Sequence, residues 1–310
     1  MRRSKGSRSS ADEEPGSGPF RGREVCDGHS GAARSGRGEP SAQAAGPAVQ
    51  ALNGRIGAGY EWNRIDEDES SFGGIAYETD THQGFVTGTM TVPLGDSLGL
   101  RLRMLPNYGR TQSDGPLDVD AGGIDASADI FWRNPETFEL GAEATYSWQR
   151  GHLEVIDDDL TVHSFRGELY GSYFISPADF WPLDLGASFT YSGLDLDEEI
   201  TDDVQKAWSV GGAVRLYPLD VLAFSVGGLY RELDSHGFAD TKTSGAVFGL
   251  DALVHRTPGL TLSPRFEVGN RDTSTFFASN FRQTYYSVLA RVTMSFPGGD
   301  SLVELNRAYY

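Results

Sequence analysis

The chain has 310 residues, of which 38% are hydrophobic, and a formal net charge of −18. No run approaches the roughly 18–20 consecutive apolar residues of a membrane helix. The acidic surplus argues against a nucleic-acid partner, which needs a basic surface, and the single cysteine, Cys26, excludes an internal disulfide or a cysteine-built metal site.

Residues 1–50 are rich in Arg, Ser, Gly, Glu and Pro and nearly devoid of aliphatic side chains. Nothing there can form a core, so the segment is expected to be disordered. Ala42-Gln43-Ala44 has the small-residue character of a signal-peptide end, but the apolar centre that should precede it is missing. The expectation is a wrongly placed start or an atypical leader, ahead of a mature chain starting near Ala45.

From residue 51 onward the chain alternates. Residues 52–65 turn Ile56, Ala58, Tyr60 and Trp62 to one face and Arg55, Gly57, Gly59 and Glu61 to the other. Such a period of two marks a strand with one apolar and one polar face. An acidic connection (66–81) leads to a strand over 82–92, and the turn Pro93-Leu94-Gly95-Asp96 reverses the chain. The third strand sets Leu98, Leu100, Leu102 and Met104 against Arg101 and Arg103, and the fourth sets Ile124 to Trp132 against Asp125, Asp129 and Arg133. In the fifth, Phe138, Leu140, Ala142, Ala144, Tyr146 and Trp148 alternate with Glu139, Gly141, Glu143, Thr145, Ser147 and Gln149.

Strands follow over 162–175, 183–191, 206–216, 221–231, 244–255 and 260–269. The twelfth, 285–296, alternates Tyr286, Val288, Ala290, Val292, Met294 and Phe296 with Ser287, Leu289, Arg291, Thr293 and Ser295. At about 3.3 Å per residue, twelve residues cross a bilayer core as a tilted strand. The 39 glycines also suit strands, since each costs about 1 kcal/mol in a helix. Connections alternate long and short, and an even strand count places both ends of the barrel on one side. The expected fold is all-β: a transmembrane antiparallel up-and-down barrel of twelve strands, with short periplasmic turns and longer acidic extracellular loops.

Residues 51–310 resemble a Gram-negative outer-membrane β-barrel of the porin-like kind with unassigned substrate. Leu52-Asn53-Gly54-Arg55-Ile56 is similar to the first strand of such proteins, and an aromatic, Phe296, closes the last strand. Fourteen further residues end at Tyr310, so either Tyr310 supplies the terminal aromatic or the tail is a periplasmic extension. The resemblance implies the cell outer membrane as location, and outer-membrane lipid, lipopolysaccharide and the barrel-assembly machinery as partners. It implies no ligand or cofactor.

Alternation assigns nine arginines to the inner face: Arg55, Arg101, Arg103, Arg133, Arg166, Arg215, Arg231, Arg265 and Arg291. It assigns nine acids there too: Glu61, Asp125, Asp129, Glu139, Glu143, Glu168, Asp184, Asp251 and Glu267. This balance predicts cross-strand ion pairs lining a narrow polar pore; the alternative is a lumen filled by the same side chains. Acidic clusters (66–69, 157–159, 195–203) fall in the predicted loops and offer oxygens to divalent cations, but none matches a calcium-binding loop.

The omptin proteases and outer-membrane phospholipase A are twelve-stranded enzymes, but this chain shows no spacing that builds a nucleophile–base pair. His163 and Ser164 are adjacent and point to opposite faces. His82, His152, His236 and His255 lie at predicted strand ends or loops without a spaced nucleophile. The expectation is a non-enzymatic barrel: a passive channel for small polar solutes or ions, or alternatively a non-conducting structural or adhesion barrel displaying acidic loops.

Overall fold

The computed structural model describes residues 52–67, 78–113, 118–134, 136–153, 158–177, 180–196, 205–235, 239–275, 281–299 and 301–309. Expectations for residues 1–50, for His236 and for most of the acidic loop clusters lie outside them. Twelve strands form: β1 (Asn53–Glu67), β2 (Glu78–Pro93), β3 (Leu98–Ser113), β4 (Val119–Asn134), β5 (Phe138–Leu153), β6 (Asp158–Ile175), β7 (Leu183–Leu196), β8 (Gln205–Leu219), β9 (Leu222–Ser235), β10 (Ala239–His255), β11 (Gly259–Thr275) and β12 (Phe281–Phe296). Each pairs antiparallel with its neighbours in sequence, and β1 pairs with β12 from Gly54↔Phe296 to Glu67↔Gln283, closing the barrel. Closure leaves no edge strand with unpaired backbone groups.

The expected strand number holds, but the strands run further than the alternation at the long-loop end. Strand β2 starts at Glu78 rather than His82, β6 at Asp158 rather than Val162, and β11 continues past Gly269 to Thr275. Apolar alternation reports only the part of a strand that a bilayer must cover, whereas the ladder continues through Thr79-Asp80-Thr81 and Asn270–Thr275, polar on both faces. Asp158, Asp159 and Asp195 therefore belong to strands and not to loops.

The barrel's polarity is the inverse of a water-soluble core. Ile56, Met104, Ile130, Leu169 and Val254 are exposed on the outside, while Arg101, Asp129, Glu139 and Ser295 are buried within. Only a surrounding apolar medium makes that distribution favourable. Inward aromatic rings occupy the space left by glycines on adjacent strands: Phe85 over Gly59, Phe131 over Gly99, and Tyr170 over Gly141. A Cβ at any of these glycines would collide with the ring.

The tail forms an unanticipated element, helix α1 (Leu302–Tyr309). Ser301 caps it, its Oγ accepting a hydrogen bond from the Glu304 N–H at 3.2 Å. Glu304 in the first turn and Arg307 in the last complement the helix dipole. Leu302 and Leu305 are buried with Tyr217, Ala223 and Leu253, the apolar core cluster among the described residues. The helix thus lies across the short-turn end of the barrel, reaching from β10 to β6. The tail after β12 therefore folds back onto the short-turn mouth as a helix; Tyr310, the other candidate for the terminal aromatic, lies outside the described residues.

Candidate functional site

The lumen is the candidate site, and fourteen of its eighteen predicted charges sort into three groups. The first is a compact network on β3–β6 near the short turns. Arg101 Nη1 is 2.8 Å from Asp129 Oδ2, and its Nη2 is 3.1 Å from Glu139 Oε1. Arg133 makes an ion pair with the same Glu139. Tyr170 Oη lies 2.8 Å from Asp129 and 3.0 Å from Glu139, so its one proton can serve either carboxylate. The Phe131 ring is flanked by the Arg101 and Arg133 guanidiniums at 4.6 and 4.8 Å. All four charged side chains are almost wholly buried. Two arginines and two carboxylates neutralise one another, so this group fills the lumen.

The second group anchors α1. In the ladder Asp184 stands opposite Arg215, yet its Oδ1 takes Arg307 of the helix at 2.9 Å and its Oδ2 accepts from Tyr217 Oη. Arg307 also lies over the Phe174 ring at 4.9 Å. Asn306, buried beside Tyr217, contributes to the floor of the lumen cavity. Asp184 is thus a docking point for the helix and no part of an open wall.

The third group surrounds a cavity of about 540 Å³ at mid-barrel. Arg103 and Arg166 each approach Glu143 at 3.6 Å, and Arg215 approaches Asp251 at 3.6 Å. Arg55 donates to Ser295 Oγ at 3.2 Å. Glu168, Arg265 and Arg291 complete the charged lining. The opposite wall, on β7–β9, is nearly bare: Gly186, Ser188, Gly211, Ala213 and Gly227.

The remaining predicted residues do not line this cavity. Glu61 accepts from Ser287 Oγ at 3.0 Å, and Glu267 from Tyr285 Oη at 2.8 Å. Asp125 and Arg231 hold inward register positions on β4 and β9. The charge is not balanced locally: the buried network has two arginines and two carboxylates, whereas the rest of the cavity lining has six arginines and three carboxylates. Sequence reasoning missed Arg271, on the part of β11 beyond the apolar alternation, and Arg307, on the helix.

At the long-loop end the described acids are largely paired on the rim. Arg64 meets Asp66, Glu78 and Asp80; Arg110 meets Asp118 and Asp120; and Arg282 meets Asp272. Among the described residues no group of three or more His, Cys, Asp or Glu is placed to hold a metal ion. His82 and His163 face outward, their Nδ1 atoms meeting Tyr60 and Tyr146 at 2.5 and 2.6 Å.

A closed antiparallel barrel with an apolar exterior and a charged interior defines a transmembrane β-barrel. Its fold is that of the outer-membrane barrels. An outer-membrane channel from Pseudomonas putida F1 is 14% identical, with a TM-score of 0.54 covering 78% of this chain and 95% of that one. The β-domain of the Bordetella autotransporter BrkA is 11% identical, with a TM-score of 0.55 covering 78% and 99%. The translocator domain of the autotransporter NalP from Neisseria meningitidis is also 11% identical, with a TM-score of 0.52 covering 78% and 88%. No family profile and no curated protein sequence matches the chain.

Proposed function

We propose that this protein is a non-enzymatic outer-membrane channel that passively conducts small polar solutes or ions. The observation that carries this reading is accessible charge at mid-lumen. The inward side chains of Arg103 and Arg166 remain 38% and 46% exposed, beside a cavity of about 540 Å³. A lumen packed solid would leave neither. Charged walls around water sort solutes by sign and size, and a twelve-strand barrel is intermediate between filled eight-strand barrels and wide porins. In this reading bilayer lipid and lipopolysaccharide cover the apolar exterior, the barrel-assembly machinery inserts the chain, and the acidic loop clusters attract divalent cations.

One observation favours a second reading, a non-conducting structural or adhesion barrel: α1 and the Arg101–Glu139 network both occupy the short-turn mouth. Single-channel recording of the refolded full chain separates the two. Discrete conductance steps support the channel. A correctly folded, inserted barrel that stays silent supports the scaffold.

A further inference from the structure

The arginines of the cavity outnumber its carboxylates even after the neutral network is set aside. Six remain on the lining (Arg55, Arg103, Arg166, Arg215, Arg265 and Arg291) against Glu143, Glu168 and Asp251. Glu143 already serves Arg103 and Arg166, and Asp251 is the ion-pair partner of Arg215. Neither Arg265 nor Arg291 reaches ion-pairing distance of any carboxylate among the described residues. The buried Nε of Arg291 also lacks a hydrogen-bond partner there.

These two arginines stand together. Arg291 on β12 pairs in register with Ser263 on β11, two residues before Arg265 on the same inner face. Arg55, Arg103 and Arg265 line the same cavity as Arg291, and the nearby carboxylate Asp251 is the partner of Arg215. The hydroxyls of Ser263 and Thr293, both buried, line the same part of the cavity. Like charges gathered on one half-buried cavity wall raise the free energy of the empty site, and an anion lowers it.

We propose that Arg265 and Arg291 form an oxyanion-binding site in the lumen, taking a small carboxylate, phosphate or sulfate group. The planar guanidinium fork matches two oxygens of such a group. A 540 Å³ space admits a small organic anion. The proposal rests on the channel reading only for what the site does, which is to select anions for passage; the site itself needs only the cavity.

The test uses the refolded full chain and inorganic phosphate as the probe. Calorimetric titration into detergent-solubilised barrel is expected to show saturable binding near one site per chain. The double variant R265Q/R291Q should weaken it by about tenfold or more, the loss of charge-assisted hydrogen bonds. R282Q, on the rim, should bind as the parent does. Absence of saturable binding, or equal binding by R265Q/R291Q, overturns the site.

In planar bilayers under a salt gradient, the parent is expected to be anion-selective, and R265Q/R291Q to lose that selectivity. A conducting, cation-selective parent would overturn the selective role. Binding without any conductance keeps the site and sinks the channel reading instead.

Discussion

The two walls of this lumen teach different things. On β3–β6 the inner face is crowded: Arg101, Asp129, Phe131, Arg133, Glu139 and Tyr170 interlock and are shielded from water. On β7–β9 the inner face around the cavity is Gly186, Ser188, Gly211, Ala213 and Gly227, with Arg215 its one charged lining residue, and the cavity opens against it. One wall supplies cohesion that an apolar core supplies in a soluble protein. The other supplies space. A barrel of this size can carry both because closure satisfies the backbone everywhere, so neither wall has to hold the sheet together alone.

The comparison is tested most severely at Glu139. It is fully buried and accepts from both Arg101 and Arg133. Glu139→Ala removes the carboxylate that these two enclosed guanidiniums share. A loss of about 3–5 kcal/mol is expected, read as a lower urea midpoint for the heat-modifiable form in lipid vesicles. A loss below about 1 kcal/mol would show that water reaches this wall and that cohesion lies elsewhere. Next is Leu305, 2% exposed beneath α1. Leu305→Ala is expected to weaken helix docking by about 2–4 kcal/mol. Because the barrel ladder does not involve it, the consequence is undocking: faster proteolysis of residues 301–310 and larger conductance, with the strand melting midpoint unchanged. Equal conductance would remove α1 from any part in closing the mouth.

Strand number, closure and the inward set of charges were legible in the sequence because a bilayer enforces a period of two over every crossing. What was not legible has physical causes. Strand ends past Gly269 or before His82 lie where nothing apolar is required, so the ladder leaves no trace in hydropathy. Ion-pair partners depend on which strands meet and at what stagger, which is why Asp184 could not be assigned to Arg307, 123 residues away. Helix α1 was legible in part. Ser301-Leu302-Val303-Glu304 is a capping-box pattern and Leu302 and Leu305 are three apart, but eight residues carry too weak a period to stand out after a barrel. The glycine–aromatic pairs were visible as composition only, since Gly99 and Phe131 become neighbours through the β3–β4 register.

A smaller effect is expected at the helix anchor. Arg307 is mostly buried, pairs with Asp184 and covers Phe174. Arg307→Ala leaves Asp184 with Tyr217 as hydrogen-bond donor, so the carboxylate is not abandoned. The expected cost is about 1–2 kcal/mol of docking, less than at Leu305, and seen in the same proteolysis measurement. If it exceeded the Leu305 effect, the helix would be held by charge and not by its apolar face.

The least change in stability, and the clearest change in current, should come from the bare wall. A Cβ built on Gly186 meets nothing closer than Ser172 Oγ at 3.7 Å, and one on Gly211 nothing closer than Ser188 Oγ at 3.5 Å. Both are ordinary van der Waals separations, so a side chain can enter the lumen without displacing the sheet. Gly211→Trp is therefore expected to keep the urea midpoint within about 0.5 kcal/mol of the parent. Its indole would project into the cavity opposite the arginines and lower single-channel conductance. Gly141→Trp, by contrast, would collide with Tyr170 and should destabilise the barrel. If Gly211→Trp were as damaging as Gly141→Trp, β8 would have an inner-face neighbour to pack against, and the distinction between a cohesive wall and an open one would fail.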